Sequence, residues 1–258
     1  MLLTVALWVT LGSDPLVRRG AALFDTLDFE GALASYERAL TVRLGSSDEL
    51  VEALLGVGLC EATLGNDARA KLAFSRALAV KPDVQLEGAD ISPRQRAPFD
   101  AARAEAKGRP AVRIEHTPPR TFPPGAPVTL SAEVVNDWQG LVTGARLVFR
   151  REGQGAWEEV AVTGPGPFSP MLPVLGGGAV EYYVQAVGPG GSPVSSWRSA
   201  EDPMRVRVAE PADDGAPLYQ RPWLWVVVGG VVAAGVVSAV VVTQTATPDY
   251  TVRTRPAQ

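Results

Sequence analysis

Few side chains in this sequence are equipped for chemistry. It holds one cysteine, Cys60, and one histidine, His116, so neither a Cys-x-x-Cys pair nor a histidine-based metal site can be assembled. GVGLCE, starting at Gly56, has glycines spaced like a dinucleotide loop. It lacks the third glycine, follows no strand and lies inside a helical repeat, so it reads as helix. Gly176–Gly178 and the GPGG run Gly188–Gly191 have the composition of an anion cradle. Set between segments of alternating polarity, they read instead as hairpin turns. Adjacent carboxylates occur at Asp213–Asp214 and Glu158–Glu159. The second pair falls on a predicted strand, where neighbours face opposite sides, so it forms no acid–base dyad. His116, just before Pro118–Pro119, reads as a solvated residue at a strand end. With no Gly-x-Ser-x-Gly elbow and no Walker loop, the expectation is a non-enzymatic protein without cofactor or metal. Trp138, Trp157 and Trp197 are candidates for a platform on which a polysaccharide stacks, although each is better suited to filling the sandwich core or a loop.

Composition narrows the partners. The chain has 258 residues, a formal net charge of −4 and 46% hydrophobic residues. An acidic chain without basic clusters argues against a nucleic-acid partner. A single cysteine makes no intrachain disulfide and fits either redox compartment.

The elements that would hold these residues fall into two blocks. The first is rich in alanine and leucine at a period near 3.6 and repeats internally: Gly20, Ala32, Tyr36 and Ala39 recur as Gly58, Ala70, Phe74 and Ala77, each shifted by 38 positions. Small residues let two helices touch, and the aromatic fills the gap toward the next helix. SPRQRAPFDAARAEA adds a further helix, with Ser92 as N-cap, Pro93 as first residue and Pro98 as a candidate kink. After Gly108 the period becomes two. Val128, Leu130, Ala132 and Val134 alternate with polar residues. Ala145, Leu147 and Phe149 face one way, and Arg146, Val148 and Arg150 the other; Val180, Tyr182, Val184 and Ala186 point inward, as do Met204, Val206 and Val208. With VRIEH, WEEVAVT and FSPMLPV, about seven short strands between Pro/Gly turns predict a β-sandwich.

The repeated segments resemble tetratricopeptide repeats, over about Asp14 to Asp83, on Gly20, Ala32, Tyr36, Ala39, Gly58, Ala70, Phe74, Ala77 and the closing Pro82. The first repeat has Leu44 at the closing position and the period exceeds the usual one, so an extra loop is expected at Leu44–Ser47. The resemblance implies a candidate groove lined by Val17, Ala21, Phe24, Leu55 and Leu59, which either holds a peptide or packs against the capping helix or the next domain. The lysine and asparagine with which some members clamp a terminal carboxylate are missing from that face, so this activity does not carry over. VEYYVQAVGPGGSPVSSW, with Tyr182, Val184 and Ala186 at alternate positions, resembles the penultimate strand and turn of fibronectin type III and related immunoglobulin-like domains.

The ends of the chain set the expected location. Trp223 to Thr243 is twenty-one residues without a charge. At about 1.5 Å per residue it reaches about 32 Å, enough for a hydrocarbon core of about 30 Å. Trp223 and Trp225 sit at its upstream edge, as interfacial tryptophans do, with Arg221 and Pro222 just outside. Gly230, Ala234 and Ser238 share one face of that helix and could support a homodimer. The tail carries Arg253 and Arg255 against Asp249, a positive-inside signal. At the other end, the apolar run Leu2–Leu11 fits a signal peptide over residues 1–12, or an apolar first helix.

The expected architecture is therefore multidomain α + β. It comprises a signal peptide (1–12), tetratricopeptide-like hairpins with a capping helix (14–107), an all-β immunoglobulin-like sandwich (111–209), a linker (210–222), a single transmembrane helix (223–243) and a short tail (244–258). The order resembles bacterial envelope proteins that present such modules in the periplasm from the inner membrane, leaving the tail cytoplasmic. The expected function is a membrane-anchored scaffold for a protein or peptide partner. The alternatives are a cell-wall or polysaccharide-binding module and a cytoplasmic tail-anchored adaptor.

Overall fold

The computed structural model describes residues 14–86, 91–164, 166–173, 178–209 and 251–254. Its first block is five helices, most of them opened by a side chain that satisfies free amides of the first turn. Asp14 accepts from the Leu16 amide at 2.8 Å and opens α1 (Pro15–Asp25), with Pro15 at the first helical position. Asp28 accepts from the Gly31 amide at 2.9 Å and opens α2 (Phe29–Ala39). Ser46 opens α3 (Ser47–Leu64), which stops where Gly65 takes φ 90° and the Asn66 amide turns back to Glu61 O at 2.8 Å. α4 (Asp67–Val80) ends just before Pro82, and α5 (Pro93–Ala106) starts with a Ser92–Gln95 capping box. Pro98 does not break α5: the carbonyl it leaves without a partner, that of Arg94, belongs to an exposed residue of the first turn.

Each helix packs on the next in sequence, and the repeat spacing explains how. Tyr36 lies against two glycines at once. A Cβ on Gly20 of α1 would stand 2.8 Å from its ring, and one on Gly56 of α3 2.4 Å. Phe74 of α4 stands in the same relation to Gly58 of α3, at 2.4 Å. The Gly20–Tyr36 contact therefore recurs 38 positions later as Gly58–Phe74, and both rings are fully buried.

The second block is strands. These are β1 (Arg113–His116), β2 (Thr121–Phe122), β3 (Val128–Thr129), β4 (Ala132–Val135), β5 (Gly144–Arg151), β6 (Glu158–Thr163), β7 (Met171–Leu172), β8 (Gly178–Val187), β9 (Pro193–Trp197), β10 (Met204–Val208) and β11 (Thr251–Thr254). The main sheet runs β11–β6–β5–β8–β10–β2, with β9 also on β8; β1–β4 and β3–β7 form two further ribbons. The pairings are antiparallel except β10 with β2. Leu147, Phe149, Val160, Tyr182, Val184 and Val206 form one face of the main sheet and pack on Ile114, Leu130, Phe168 and Leu172. The α-then-β order is as expected. β2 and β9 are strands that the alternation did not single out, and Leu130–Ser131 interrupts the segment read as one strand.

On β5, Arg146 and Val148 lie on the face opposite Leu147 and Phe149, and they too are buried, at 4% and 1% exposure. At one end of that face Arg43 of the α2–α3 loop binds Glu159, and Arg146 donates to Gly191 O in the β8–β9 turn, so alternation marked the side but not what lies over it. Farther along the same face, Glu181 pairs with Arg150 at 2.7 Å and Arg205 at 2.7 Å, an opposite-charge ladder across three strands.

Among the described residues no helix is long and apolar enough to cross a membrane. The expected signal peptide (1–12), linker (210–222) and span (223–243), with Gly230, Ala234 and Ser238, lie outside the described residues. Of the tail, 251–254 is described, and it pairs with β6.

Candidate functional site

The site with the most unusual construction is the seam between the two blocks. It is built by the loop that lengthens the first repeat. α2 ends at Ala39 and α3 begins at Ser47. Between them, the expected extra loop lies against the turn Pro189–Gly191 that joins β8 to β9. Ser192, fully buried, accepts from the Leu44 amide at 2.9 Å and donates its hydroxyl to Val42 O at 3.2 Å. Gly190 has φ 62° and lies so close that a Cβ would stand 2.2 Å from Val42 O. The backbone approach here leaves room only for glycine.

Charge fastens the same loop to the sheet. Arg43 donates to both oxygens of Glu159, at 2.8 and 2.6 Å, a two-pronged match of fork to carboxylate. Arg146, buried in β5, donates to Gly191 O at 2.6 Å and has a nitrogen 4.0 Å from Glu159. Glu158, its neighbour in sequence, is half-buried where Glu159 is buried. Farther round, the Val112 amide donates to Ala79 O at 2.8 Å, and the Arg109 guanidinium lies 4.8 Å from the Trp138 ring centroid. Leu44, Val112, Leu141 and Val194 belong to the same apolar cluster as Tyr36 and Phe74, so the helical core continues into the β block.

The residues of the expected groove are mostly inside this core. Val17, Ala21, Phe24 and Leu59 are buried and Leu55 is half-buried. Phe24 meets Phe29 edge-on at 5.2 Å. The repeat residues Ala32, Ala39, Ala70 and Ala77 are fully buried, while Pro82 is exposed beyond α4.

A second feature is a cleft of about 570 Å³ lined by Arg113, Glu115, His116, Ser131, Glu133 and Trp197. His116 is buried here, not solvated as its neighbouring prolines suggested. Its Nδ1 is 2.6 Å from Ser131 O and its Nε2 2.9 Å from the Tyr182 hydroxyl. A carbonyl only accepts, so Nδ1–H donates to it and the Tyr182 hydroxyl donates to Nε2. Both nitrogens are committed in the neutral ring. Burial holds the imidazole below its ordinary pKa, partly countered by the Ser131 bond. Trp197 lies edge-on to His116 at 4.8 Å and stacks with Tyr182 at 6.0 Å.

The other singled-out side chains are placed apart. Cys60 is fully buried in α3, and burial together with the neighbouring Glu61 pushes its thiol up to about 12. Gly56 lies in mid-α3 and Gly188–Gly191 in the β8–β9 turn, as expected. Trp157 lies under Arg150 at 4.2 Å and edge-on to Tyr183 at 5.2 Å. Among the described residues no ring contact joins Trp138, Trp157 and Trp197, and no group of His, Cys, Asp and Glu could hold a metal. What sequence reasoning missed is the seam: its only legible signal was the lengthened repeat.

No protein-family model matches this chain. Among curated proteins none matches it either.

Proposed function

We propose that this protein is a non-enzymatic, membrane-anchored scaffold. Residues 223–243 are the anchor, and the helical and β blocks present a protein- or peptide-binding surface on the periplasmic side of a bacterial inner membrane. The observation that carries this reading is the uncharged run Trp223–Thr243 with its two leading tryptophans. The finer fold reading rests on the repeated glycine–aromatic contact, Gly20–Tyr36 and Gly58–Phe74, which suits tetratricopeptide-like hairpins, and on the alternating strands, which suit an immunoglobulin-like sandwich. The seam adds a mechanical argument: two blocks joined by shared core and buried hydrogen bonds keep a fixed mutual geometry, as a composite docking surface requires. Gly230, Ala234 and Ser238 offer a face for self-association of the anchor.

Topology is the direct test. A reporter active only in the cytoplasm, fused after Gln258, is expected to be active, and N-terminal sequencing of membrane-extracted protein is expected to show residues 1–12 removed. A retained N-terminus with the bulk of the chain protected from external protease would instead establish the cytoplasmic tail-anchored arrangement. Recovery of the full-length chain in the detergent-free soluble fraction would end the anchor reading altogether.

A further inference from the structure

Resting on the anchor reading, we propose that the edge of β6 is a docking seat for the chain's own C-terminal segment, Thr251–Thr254, and that filling this seat and passing residues 223–243 across a bilayer exclude one another. The seat is antiparallel and in register: Thr251 opposite Ala161, Val252 opposite Val160, Arg253 opposite Glu159 and Thr254 opposite Glu158. Three of the four docked residues are β-branched, the type that suits a pleated strand, and the register sets an arginine opposite a glutamate. β11 is the outermost strand of the order β11–β6–β5, so without it β6 would present its own N–H and C=O groups as an open edge.

The exclusion follows from chain length. β10 ends at Val208 and the chain passes from there to the candidate anchor, so the sheet stands on the side from which Trp223 enters. Once Thr243 has reached the far side, seven residues separate it from Thr251. The eight steps from Thr243 to Thr251, fully extended, reach about 28 Å at about 3.5 Å each, short of a hydrocarbon core of about 30 Å. The intervening residues also include Asp249, which lipid opposes. A crossed chain therefore cannot return Thr251 to β6, and a docked tail keeps both ends of 223–243 on one side. Insertion uncovers the β6 edge, so a surface suited to strand addition becomes available only on the anchored protein.

The test uses the full chain made by cell-free synthesis, with or without vesicles of phosphatidylethanolamine and phosphatidylglycerol. Ala161→Cys with Thr251→Cys places two thiols in register, and Thr163→Cys with Thr254→Cys is the out-of-register control. Buried Cys60 does not compete. Without vesicles, mild oxidation is expected to link the first pair and not the second. In the fraction that floats with vesicles and resists carbonate the link is expected to be lost, and chain oxidised beforehand is expected not to insert until reduced. A disulfide persisting in the inserted fraction, or none forming without vesicles, overturns the proposal while leaving the anchor intact. If neither oxidised nor reduced chain enters vesicles, the anchor reading falls and the exclusion with it, and flotation alone reports that outcome.

Discussion

Ser192 and Leu44 stand 148 positions apart, yet the Leu44 amide donates to the Ser192 hydroxyl at 2.9 Å in a site closed to solvent. The same hydroxyl donates to Val42 O, so one small side chain satisfies two backbone groups of the loop that lengthens the first repeat. Fixing these groups fixes where the helices sit on the sheet.

Ser192→Ala leaves the buried Leu44 amide without its acceptor and Val42 O without its donor. An unsatisfied buried polar group costs about 1–3 kcal/mol. The variant is expected to unfold at lower urea by that margin, and its Arg43–Glu159 pair should become more accessible to exchange and protease. Because the apolar cluster runs through the seam, wild type is expected to unfold in one transition. An unchanged midpoint in Ser192→Ala would mean that this contact does not hold the seam.

Gly58→Ala tests the other close approach. In an open helix alanine gains up to about 1 kcal/mol over glycine. Here the new methyl would stand 2.4 Å from Phe74 Cε1, inside a fully buried ring contact. Overpacking costs about 1–3 kcal/mol, so the net effect is expected to be destabilising. Shortening the ring with Phe74→Leu should relieve it, giving a favourable coupling energy in a double-mutant cycle. A Gly58→Ala protein more stable than wild type would refute the tight contact.

These two contacts differ in how far the sequence announced them. Gly58 and Phe74 are legible because a repeat forces the same small–large pair to recur, and a period of 38 exposes it. The seam is not, since Leu44 N and Val42 O are backbone groups that any residue carries, and Ser192 is one serine in a turn of ordinary composition. Arg146 is hidden for a related reason: alternation puts it on the β5 face opposite Leu147, while the carbonyl it binds, Gly191 O, lies 45 positions away. His116 depends on Tyr182, 66 positions away, a pairing that neighbouring prolines cannot forecast. Thr251–Thr254 reads as a tail too short to fold alone, and it becomes a strand only because β6 supplies the other half of the ladder.

Cys60 supplies a probe that needs no engineering, being the only cysteine. It is fully buried, and its thiol is pushed up to about 12 by burial and by Glu61. The thiolate is the reactive form, so an aromatic disulfide reagent at about pH 8 is expected to label the native protein only as fast as α3 opens, and completely in urea. The labelling rate should rise in Gly58→Ala, whose substitution loosens the same helix. Immediate stoichiometric labelling of native protein would contradict the burial of α3.

His116 predicts how stability depends on pH, and as the only histidine it gives an isolated NMR signal. Its folded pKa is lowered from 6.5 by burial, so the folded state resists the proton that the unfolded chain accepts. Above about 6.5 both states carry neutral imidazole and the contribution to stability is fully present. As pH falls below that value the unfolded chain binds its proton first, and stability is lost progressively until the folded ring titrates too. Protonation puts a hydrogen on Nε2, so the Tyr182 hydroxyl can no longer donate there. Glu115 and Glu133 line the same cleft and favour the charged ring, while Arg113 opposes it, so high salt is expected to shift the titration only modestly. His116→Asn should flatten the stability slope below about pH 6.5, at a fixed cost in stability at neutral pH. A ring resonance titrating at or above about 6.5 in the folded protein would show that the imidazole is hydrated, and the buried Ser131–His116–Tyr182 arrangement would have to be abandoned.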